Sequence, residues 1–217
     1  MTPLALLSAL LLSAAPAETP SKMVVGQELP SLLSGSTLGD GGALVVATAG
    51  FPFLSAAYAQ GVSPGLDAGA QLEIDWVTSE LFAGGLLRRA LLREGDVDVA
   101  FRGRAGLYGD LGAQWAYERN RSDAGLQVAP GLVASVALQR GVASLSVDLP
   151  LTLTVARGGG VGFAPRVGLA FETPLYGEWS AGVRVGGLWQ VASGGAPFAH
   201  DPRGSVDAAA LLTYRLF

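Results

Sequence analysis

Three residue types are absent or nearly absent from this sequence, and each scarcity excludes a kind of site or partner. The 217 residues include no cysteine, which excludes a disulfide framework and a lipid anchor on a cysteine. Lys22 is the only lysine and the formal net charge is −4, so no basic patch points to nucleic acid as a partner. Since His200 is the only histidine, no cluster of metal ligands is predicted, and no cofactor is predicted either.

Long apolar runs are missing as well, although half of the residues are hydrophobic and the mean hydropathy is +0.40. No segment reaches the roughly 18 consecutive apolar residues that a membrane-spanning helix needs. The longest run, Leu4 to Ala15, leads into the small-residue pattern Ala15-Pro16-Ala17. Because such a pattern after an apolar stretch is typical of secretory leaders, residues 1–17 are predicted to be a cleaved signal peptide, with a short buried helix as the alternative.

The chain does contain long stretches in which apolar and polar residues alternate. Residues 142–155 have the sequence VASLSVDLPLTLTV, in which every odd position from 143 onward is apolar. An alternation of period two is typical of a β-strand with one apolar face. A strand of about 14 residues is well beyond the five or six usual in soluble sheets. The pattern therefore predicts a strand with hydrocarbon on one side and water on the other.

Other segments repeat this alternation, and their charged residues are in phase with the polar face. They are Leu66 to Trp76, Val97 to Leu107, Leu126 to Leu138, Phe163 to Thr173 and Trp179 to Val191. The last segment alternates too, with the apolar set Val206, Ala208, Ala210, Leu212, Tyr214 and Leu216. A soluble β-sandwich would show the same alternation, so strand length and the connections must decide between the two architectures.

The connections alternate between tight turns and longer loops, which is typical of outer-membrane barrels. The tight turns are Val62 to Gly65, Glu94 to Asp96, Gln139 to Gly141 and Pro174 to Glu178. The longer loops are Val77 to Ala83, Tyr108 to Gly125, Arg157 to Gly162 and Ala192 to Ser205. The count predicts an all-β fold: a transmembrane, antiparallel, up-and-down β-barrel of about ten strands over residues 42–217, with both termini periplasmic.

The N-terminal part of the mature chain leaves alternatives open. Residues 18–41 are polar and rich in Ser, Gly and Pro, and we expect a periplasmic tether or a short plug there. Gly50-Phe51-Pro52 separates Gly42 to Ala49 from Phe53 to Gln60, because proline cannot donate to a strand ladder. This first hairpin is nearly all small or apolar, so a barrel of eight strands without it is the alternative.

One segment, Gly84 to Arg93, has no clean period, and either register places an arginine among apolar positions. We expect Leu86, Ala90 and Leu92 to face outward, with Arg88 extending toward an interface.

The spacing of the tryptophans can be compared with the height of the lipid-facing band of an outer-membrane barrel. Trp179 and Trp189 share a face ten residues apart, which is roughly 33 Å along a strand and about 25 Å along the axis at a tilt of ~40°. That distance matches the lipid-facing band, and Trp76 ends another strand. These three residues are predicted to form the aromatic girdle at the membrane interfaces, with the core of a sandwich as the alternative.

These features together resemble the small outer-membrane β-barrel proteins of Gram-negative bacteria, a broad group that includes opacity-like and small porin-like barrels. The resemblance covers about residues 42–217, and the ending Leu212-Thr213-Tyr214-Arg215-Leu216-Phe217 resembles the terminal strand that such proteins present to their assembly machinery. It implies that Phe217 is the assembly signal. It also implies a monomer in the bacterial outer membrane, in contact with membrane lipid and lipopolysaccharide.

The polar faces carry charges of both signs, which we expect to line the lumen. Because buried charges persist when they are paired, a mixed set predicts Arg–carboxylate contacts across a narrow, salt-bridged interior of structural or interaction type. The alternative is a small-solute porin. The predicted lumen-lining residues are Asp67, Glu73, Asp75, Asp98, Arg102, Arg104, Asp148, Arg166, Glu172, Arg184 and Asp207.

A rim enzyme is the remaining hypothesis. His200 and Asp201 are adjacent in a predicted outer loop, but a hydrolytic site also needs an oriented base and a nucleophile or activated water. In outer-membrane proteases of the omptin family an aspartate stands two residues before the histidine, where this chain has Phe198. No catalytic residue is therefore predicted. Tyr117 to Asp123, at the tip of the longest loop, is the best candidate for outside contacts such as lipopolysaccharide phosphates.

Overall fold

The computed structural model describes residues 31–111, 123–155, 159–194 and 203–216. Within these ranges twelve strand segments make up ten strands, since two strands are each interrupted at a proline. None of the described residues belongs to a helix that is long and apolar enough to cross a membrane. The ten strands are β1 (Ala43–Phe51), β2 (Phe53–Ser63), β3 (Leu66–Asp75), β4 (Glu80–Glu94), β5 (Val97–Asp110), β6 (Asp123–Leu138), β7 (Gly141–Asp148 and Leu151–Thr154), β8 (Gly160–Phe163 and Arg166–Pro174), β9 (Trp179–Gly194) and β10 (Arg203–Arg215).

The sheet closes on itself. Each strand pairs antiparallel with the next, and β1 pairs with β10, where Leu44 is opposite Arg215 and Phe51 is opposite Ala208. The first and last strands thus satisfy each other's backbone groups. The predicted antiparallel barrel of ten strands is confirmed. The eight-stranded alternative is wrong, because β1 and β2 are paired along their whole lengths.

Alternation along each strand separates an apolar exterior from a polar interior. In β7, Leu145 and Leu153 point outward and are 46% and 52% exposed, whereas Ser144 and Thr154 point inward and are buried. Successive side chains of a strand point to opposite faces, so this division follows directly from the sequence period. The exposed side chains of the barrel are therefore mainly hydrocarbon, and its inside is mainly polar.

Prolines interrupt the ladder at one level of the barrel without shifting the register. Pro150 splits β7 and Pro165 splits β8, since neither residue has an N–H to donate. Their carbonyls still accept, from Ala164 at 3.0 Å and from Trp189 at 3.0 Å respectively. The expectation of one unbroken strand over residues 142–155 is wrong at Leu149 and Pro150, and the strand ends at Thr154.

The irregular segment 84–93 contains a β-bulge. Ala90 is opposite Ala100 and Leu92 is opposite Val99, which leaves Leu91 as an extra residue in β4. Before the bulge the even positions point inward, so Arg88 is 1% exposed and lies inside the barrel. The expectation that Leu86 and Ala90 face outward, with Arg88 extending toward an interface, is therefore wrong, because no single period describes a strand that changes phase. Leu92, after the bulge, is 48% exposed and faces outward as expected.

Several strands extend further toward the longer loops than the sequence predicts. β4 begins at Glu80, and Asp75 closes the short turn before it by accepting N–H groups of Val77 at 2.8 Å and Thr78 at 2.9 Å. Strands also extend to Asp110 and from Asp123, inside the predicted loop 108–125. Polar residues at these strand ends face the interior, so their polarity is not a sign of a loop.

Residues 31–42 lie in the end of the barrel that carries the tight turns. Ser31 and Ser34 are buried, and the Gly35 amide donates to Ser135 Oγ at 2.9 Å. Apolar residues of the same segment pack against the small core of the barrel, which consists of Leu44, Val46, Ala59 and Leu211. This part of the chain is a plug of the barrel end.

Candidate functional site: the charged interior of the barrel

The predicted lumen residues lie on the inner face of the barrel, at three levels. Near the plug are Asp67, Asp98 and Glu172; in the middle are Glu73, Arg102, Arg104, Asp148, Arg166, Arg184 and Asp207; at the loop end is Asp75. Strand parity brings them inside, and their side chains then pair across strands.

The plug level is organised by a buried ion pair. Arg88 Nη2 lies 2.7 Å from Asp67 Oδ2, and Arg88 also donates to the carbonyls of Ser31 and Ser34. Asp67 Oδ1 accepts the N–H of Leu38 at 2.9 Å. One ion pair of the wall thus binds backbone at three points of the plug. Arg88 is a site residue that sequence reasoning missed, because the bulge conceals its phase.

Two further carboxylates take part at this level. Asp98 Oδ1 accepts from Arg93 Nε at 3.2 Å, and its other oxygen accepts from the hydroxyl of Ser36 in the plug. Glu172 is 2% exposed and accepts a hydrogen bond from the hydroxyl of Ser180 on the neighbouring strand.

In the middle of the barrel Glu73 is shared by two arginines. Its Oε2 lies 2.9 Å from Arg104 Nη1 and its Oε1 lies 3.0 Å from Arg166 Nη1. These guanidinium groups also lie over the rings of Phe82, at 4.9 Å, and Phe53, at 4.6 Å. Because β3 and β8 are five strands apart in a ring of ten, the contact with Arg166 spans the lumen.

Two other ion pairs lie at this level, and the first depends on a glycine. Arg102 Nε donates to Asp148 Oδ1 at 3.0 Å, and the residue between them in register is Gly131. Any Cβ at that position would lie 2.3 Å from Asp148 Oδ1, so only glycine lets the two side chains meet. The second pair is looser, with Arg184 Nε at 3.7 Å from Asp207 Oδ1.

Four carboxylates form a row at the loop end, on the adjacent strands β3 to β6. Asp75 is opposite Glu80, Glu80 is opposite Asp110, and Asp110 is opposite Asp123. Glu80 is hydrogen-bonded with the hydroxyl of buried Tyr108. Glu80, Asp110 and Asp123 were missed because the sequence places them in loops. For Asp123 the expectation of an outside contact at the loop tip is wrong, since it begins β6 and is buried. Within the described ranges no group of three or more His or acidic side chains is arranged to hold a metal ion.

A cavity of about 110 Å³ remains inside the barrel at the middle level. One wall is charged and is formed by the arginines and carboxylates of β3, β5, β7, β8, β9 and β10. The other wall consists mostly of small and apolar side chains of β1, β2 and β10, among them Val46, Ala57 and Ala209. The plug contributes Leu32 and Leu33 at one end.

The three predicted girdle residues are outward and exposed. Trp76 donates its Nε1–H to the Gly50 carbonyl at 3.0 Å and lies edge-on against Phe51, with ring centroids 5.4 Å apart. At the opposite end Trp179 lies against Tyr214 with its ring tilted by 43° and the centroids 4.6 Å apart. Trp189 is 55% exposed, ten residues further along β9.

Several predicted positions lie outside the described residues. These are the assembly signal Phe217, the histidine His200, the signal peptide and residues 117–122 of the loop tip. Their roles stay predictions.

The fold defines this chain as a closed, antiparallel, ten-stranded β-barrel protein with a charged interior. No family model and no curated protein matches the sequence. Among solved structures, the crystal structure of CarO from Acinetobacter baumannii is similar. The identity is 14%, the match covers 82% of this chain and 99% of that chain, and the TM-score is 0.28.

Proposed function

We propose that this chain is an outer-membrane β-barrel of structural or interaction type whose interior is filled. Its exterior supports the membrane location, because large apolar side chains point outward on all ten strands. Leu107, Leu169 and Val183, for example, are 66%, 57% and 54% exposed. Soluble proteins rarely expose apolar patches above a few hundred Å², whereas a lipid-facing band is normal for outer-membrane barrels. A leader at residues 1–17 fits export to that compartment.

The interior carries the structural assignment. The contact of Glu73 with Arg166 crosses the middle of the lumen, and the plug residues 31–42 fill the end with tight turns. A barrel near eight strands has just enough room for its own side chains, and wide aqueous channels need about sixteen strands. We therefore expect a rigid wall element of the envelope without a wide water-filled passage.

Planar-bilayer recordings on the purified, refolded chain test this assignment. We expect no steady single-channel steps of porin size, and such steps would overturn the filled-barrel proposal. Migration on gels before and after boiling is the control, since a folded barrel migrates differently from its heated form. Cell fractionation tests the membrane location separately: recovery in a soluble fraction after leader cleavage would overturn it, whatever the conductance.

The cavity supports a second function, a pore for small solutes. The guanidinium groups of Arg102 and Arg184 each keep 21% of their side-chain surface accessible inside the barrel. Vesicle swelling with solutes of graded size distinguishes the two functions. A pore of this kind would pass only the smallest solutes, and it would prefer anions because arginines outnumber carboxylates in the lining of the cavity.

Several features support the remaining expectations about surroundings. Trp76 and Trp179 lie toward opposite ends of the exterior, as expected for contact with two lipid interfaces. With the tight turns placed in the periplasm, both ends of the chain are periplasmic and the longer loops face lipopolysaccharide. We also propose that the outer-membrane assembly machinery recognises Phe217 when it inserts the barrel. The protein is proposed to be a monomer.

A further inference from the structure

The internal cavity combines an uneven charge balance with an apolar wall. Its charged wall contains Arg102, Arg104, Arg166 and Arg184, set against Glu73, Asp148 and Asp207. Arg88, which also reaches the cavity, is neutralised by Asp67. Four guanidinium groups thus face three carboxylates, since Glu73 serves both Arg104 and Arg166. The cavity has one positive charge in excess.

The hydrogen bonds of the charged wall are also incomplete. The Nε atoms of Arg166 and Arg184 are buried and have no hydrogen-bond partner among the described residues, and the same holds for one acceptor, Oδ2 of Asp207. The nearest carboxylate oxygen to Arg184 Nε is that of Asp207 at 3.7 Å, beyond hydrogen-bond distance. Arg184 also lies close enough to Arg102 and Arg166 for each of them to repel its positive charge. An additional acceptor with a negative charge would satisfy these donors.

The opposite wall has different chemistry. Apart from the hydroxyls of Thr48 and Ser55, its side chains at β1, β2 and β10 are apolar, and they include the rings of Phe51 and Phe53. Leu33 of the plug and Leu86 of β4 close the same space. A purely inorganic anion would leave this wall without a partner, whereas a short hydrocarbon tail would cover it.

We propose that the cavity binds a small monocarboxylate with a short aliphatic tail, its carboxylate against Arg184 and its tail against Ala57 and Ala209. An engineered protein cavity of about 150 Å³ binds benzene, so a volume of about 110 Å³ limits the ligand to roughly the size of butyrate. Arginine is suited to the head group because its planar fork donates two parallel hydrogen bonds to a carboxylate.

Calorimetric titration of the refolded chain in a zwitterionic detergent, with sodium butyrate as the probe, tests this binding. Butyrate labelled at its carboxyl carbon gives an independent NMR readout. We expect saturable binding of butyrate at one site and none of n-butylammonium or 1-butanol, which have a similar tail without the negative charge. Chloride should not displace butyrate at equal concentration. The absence of saturable binding, or equal displacement by chloride, would overturn the proposal.

Two variants locate the site. Arg184→Gln should weaken butyrate binding by about tenfold or more, the usual effect of losing a charge-assisted hydrogen bond. Ala209→Leu should abolish binding by filling the apolar end while it leaves every charge in place. Arg140→Gln is the matched control, because it removes the same charge from an exposed position in the turn after β6. Heat-modifiable migration must be retained by each variant that is compared.

Each result bears on the cavity alone. Binding that survives both Arg184→Gln and Ala209→Leu would place butyrate in the micelle or elsewhere on the protein, which would overturn the assignment. Because the titration needs neither a bilayer nor conductance, its failure would leave the membrane location and the filled-barrel proposal untouched.

Discussion

Arg88 and Asp67 form an ion pair in which both side chains are almost fully buried, with exposures of 1% and 0% and an Nη2–Oδ2 distance of 2.7 Å. The two residues are direct cross-strand partners in β4 and β3. Both also bind backbone groups of the plug, Arg88 at Ser31 and Ser34 and Asp67 at Leu38. The pair therefore couples the stability of the wall to the docking of residues 31–42.

Removing the arginine of this pair should be costly. Arg88→Met keeps a long side chain but leaves the carboxylate of Asp67 buried without its counter-charge. Breaking a buried pair in this way typically costs about 3 to 5 kcal/mol of unfolding free energy. Urea unfolding of the chain in phospholipid vesicles measures the loss.

The neighbouring residue supplies the control. Arg89 points outward and is exposed, so Arg89→Met should change the unfolding free energy far less. The double variant Arg88→Met with Asp67→Leu should recover part of the lost stability, because apolar groups of similar volume can replace a buried pair. If Arg88→Met and Arg89→Met lowered the unfolding free energy equally, the buried ion pair would not contribute to stability more than an exposed arginine does.

The position of the plug can be tested with thiols, since the natural chain has no cysteine. Ser34 is fully buried, whereas Asp40 in the same segment is exposed. Ser34→Cys should therefore resist a charged, bulky maleimide, and Asp40→Cys should react at the rate of a free thiol. Mass spectrometry of the labelled protein over time gives both rates.

The same experiment links the plug to the ion pair. In a chain that carries Arg88→Met as well, Ser34→Cys should become reactive. The plug then loses the two hydrogen bonds from Arg88 to the backbone carbonyls at positions 31 and 34. If Ser34→Cys and Asp40→Cys react equally in the natural background, residues 31–42 are not docked in the barrel.

The barrel could be predicted from sequence because its strongest signal is strictly local. In β7 each side chain faces the exterior or the lumen according to its parity, and no partner strand is needed to know which. The even inward positions of that strand include Asp148, and the odd ones are all apolar. Strand ends were harder to predict. The sequence predicts Asp110 and Asp123 to be loop residues. A polar residue beside a loop is equally compatible with a side chain in solvent and with a side chain that faces the lumen from the end of a strand.

The partners inside the lumen could not be predicted, because parity fixes a side and not a contact. Asp148 is directly opposite Arg166 in the register of β7 and β8, yet it binds Arg102 two strands away. Arg166 binds Glu73 across the barrel instead. Which residues pair depends on side-chain length and on the space left by Gly131. Gly131 lies between Arg102 and Asp148 only once the strands have paired in the closed barrel. The inward position of Arg88 was missed for a related reason, since the extra residue Leu91 reverses the alternation of inward and outward side chains along β4.

Gly131 offers a direct test of that gap. Gly131→Ala would place a Cβ 2.3 Å from Asp148 Oδ1 and 2.6 Å from the Val147 carbonyl, so the ion pair with Arg102 must move or break. We expect a loss of about 1 to 3 kcal/mol in the unfolding free energy, as for overpacked interiors. The matched control is Gly85→Ala, since Gly85 faces outward and a Cβ there has nothing nearer than 3.8 Å. Equal stability of the two variants would contradict the contact.

The exterior gives the most decisive prediction about the surroundings of the barrel. Val185 is 53% exposed on β9, between Trp179 and Trp189, which places it within the proposed lipid band. Val185→Arg should lower the unfolding free energy in phospholipid vesicles by about 2 to 4 kcal/mol, the cost of arginine near the bilayer midplane. Unfolding by guanidinium, followed by tryptophan fluorescence, measures the change.

Depth, and not the arginine itself, must explain that loss. Tyr176 lies in the turn between β8 and β9 and is 89% exposed, so Tyr176→Arg adds the same charge beyond the proposed hydrocarbon and should cost about 1 kcal/mol or less. For a soluble barrel no such difference is expected, because an arginine at either position would meet water. Two variants of equal stability would therefore remove the membrane from the proposal while leaving the barrel and its interior intact.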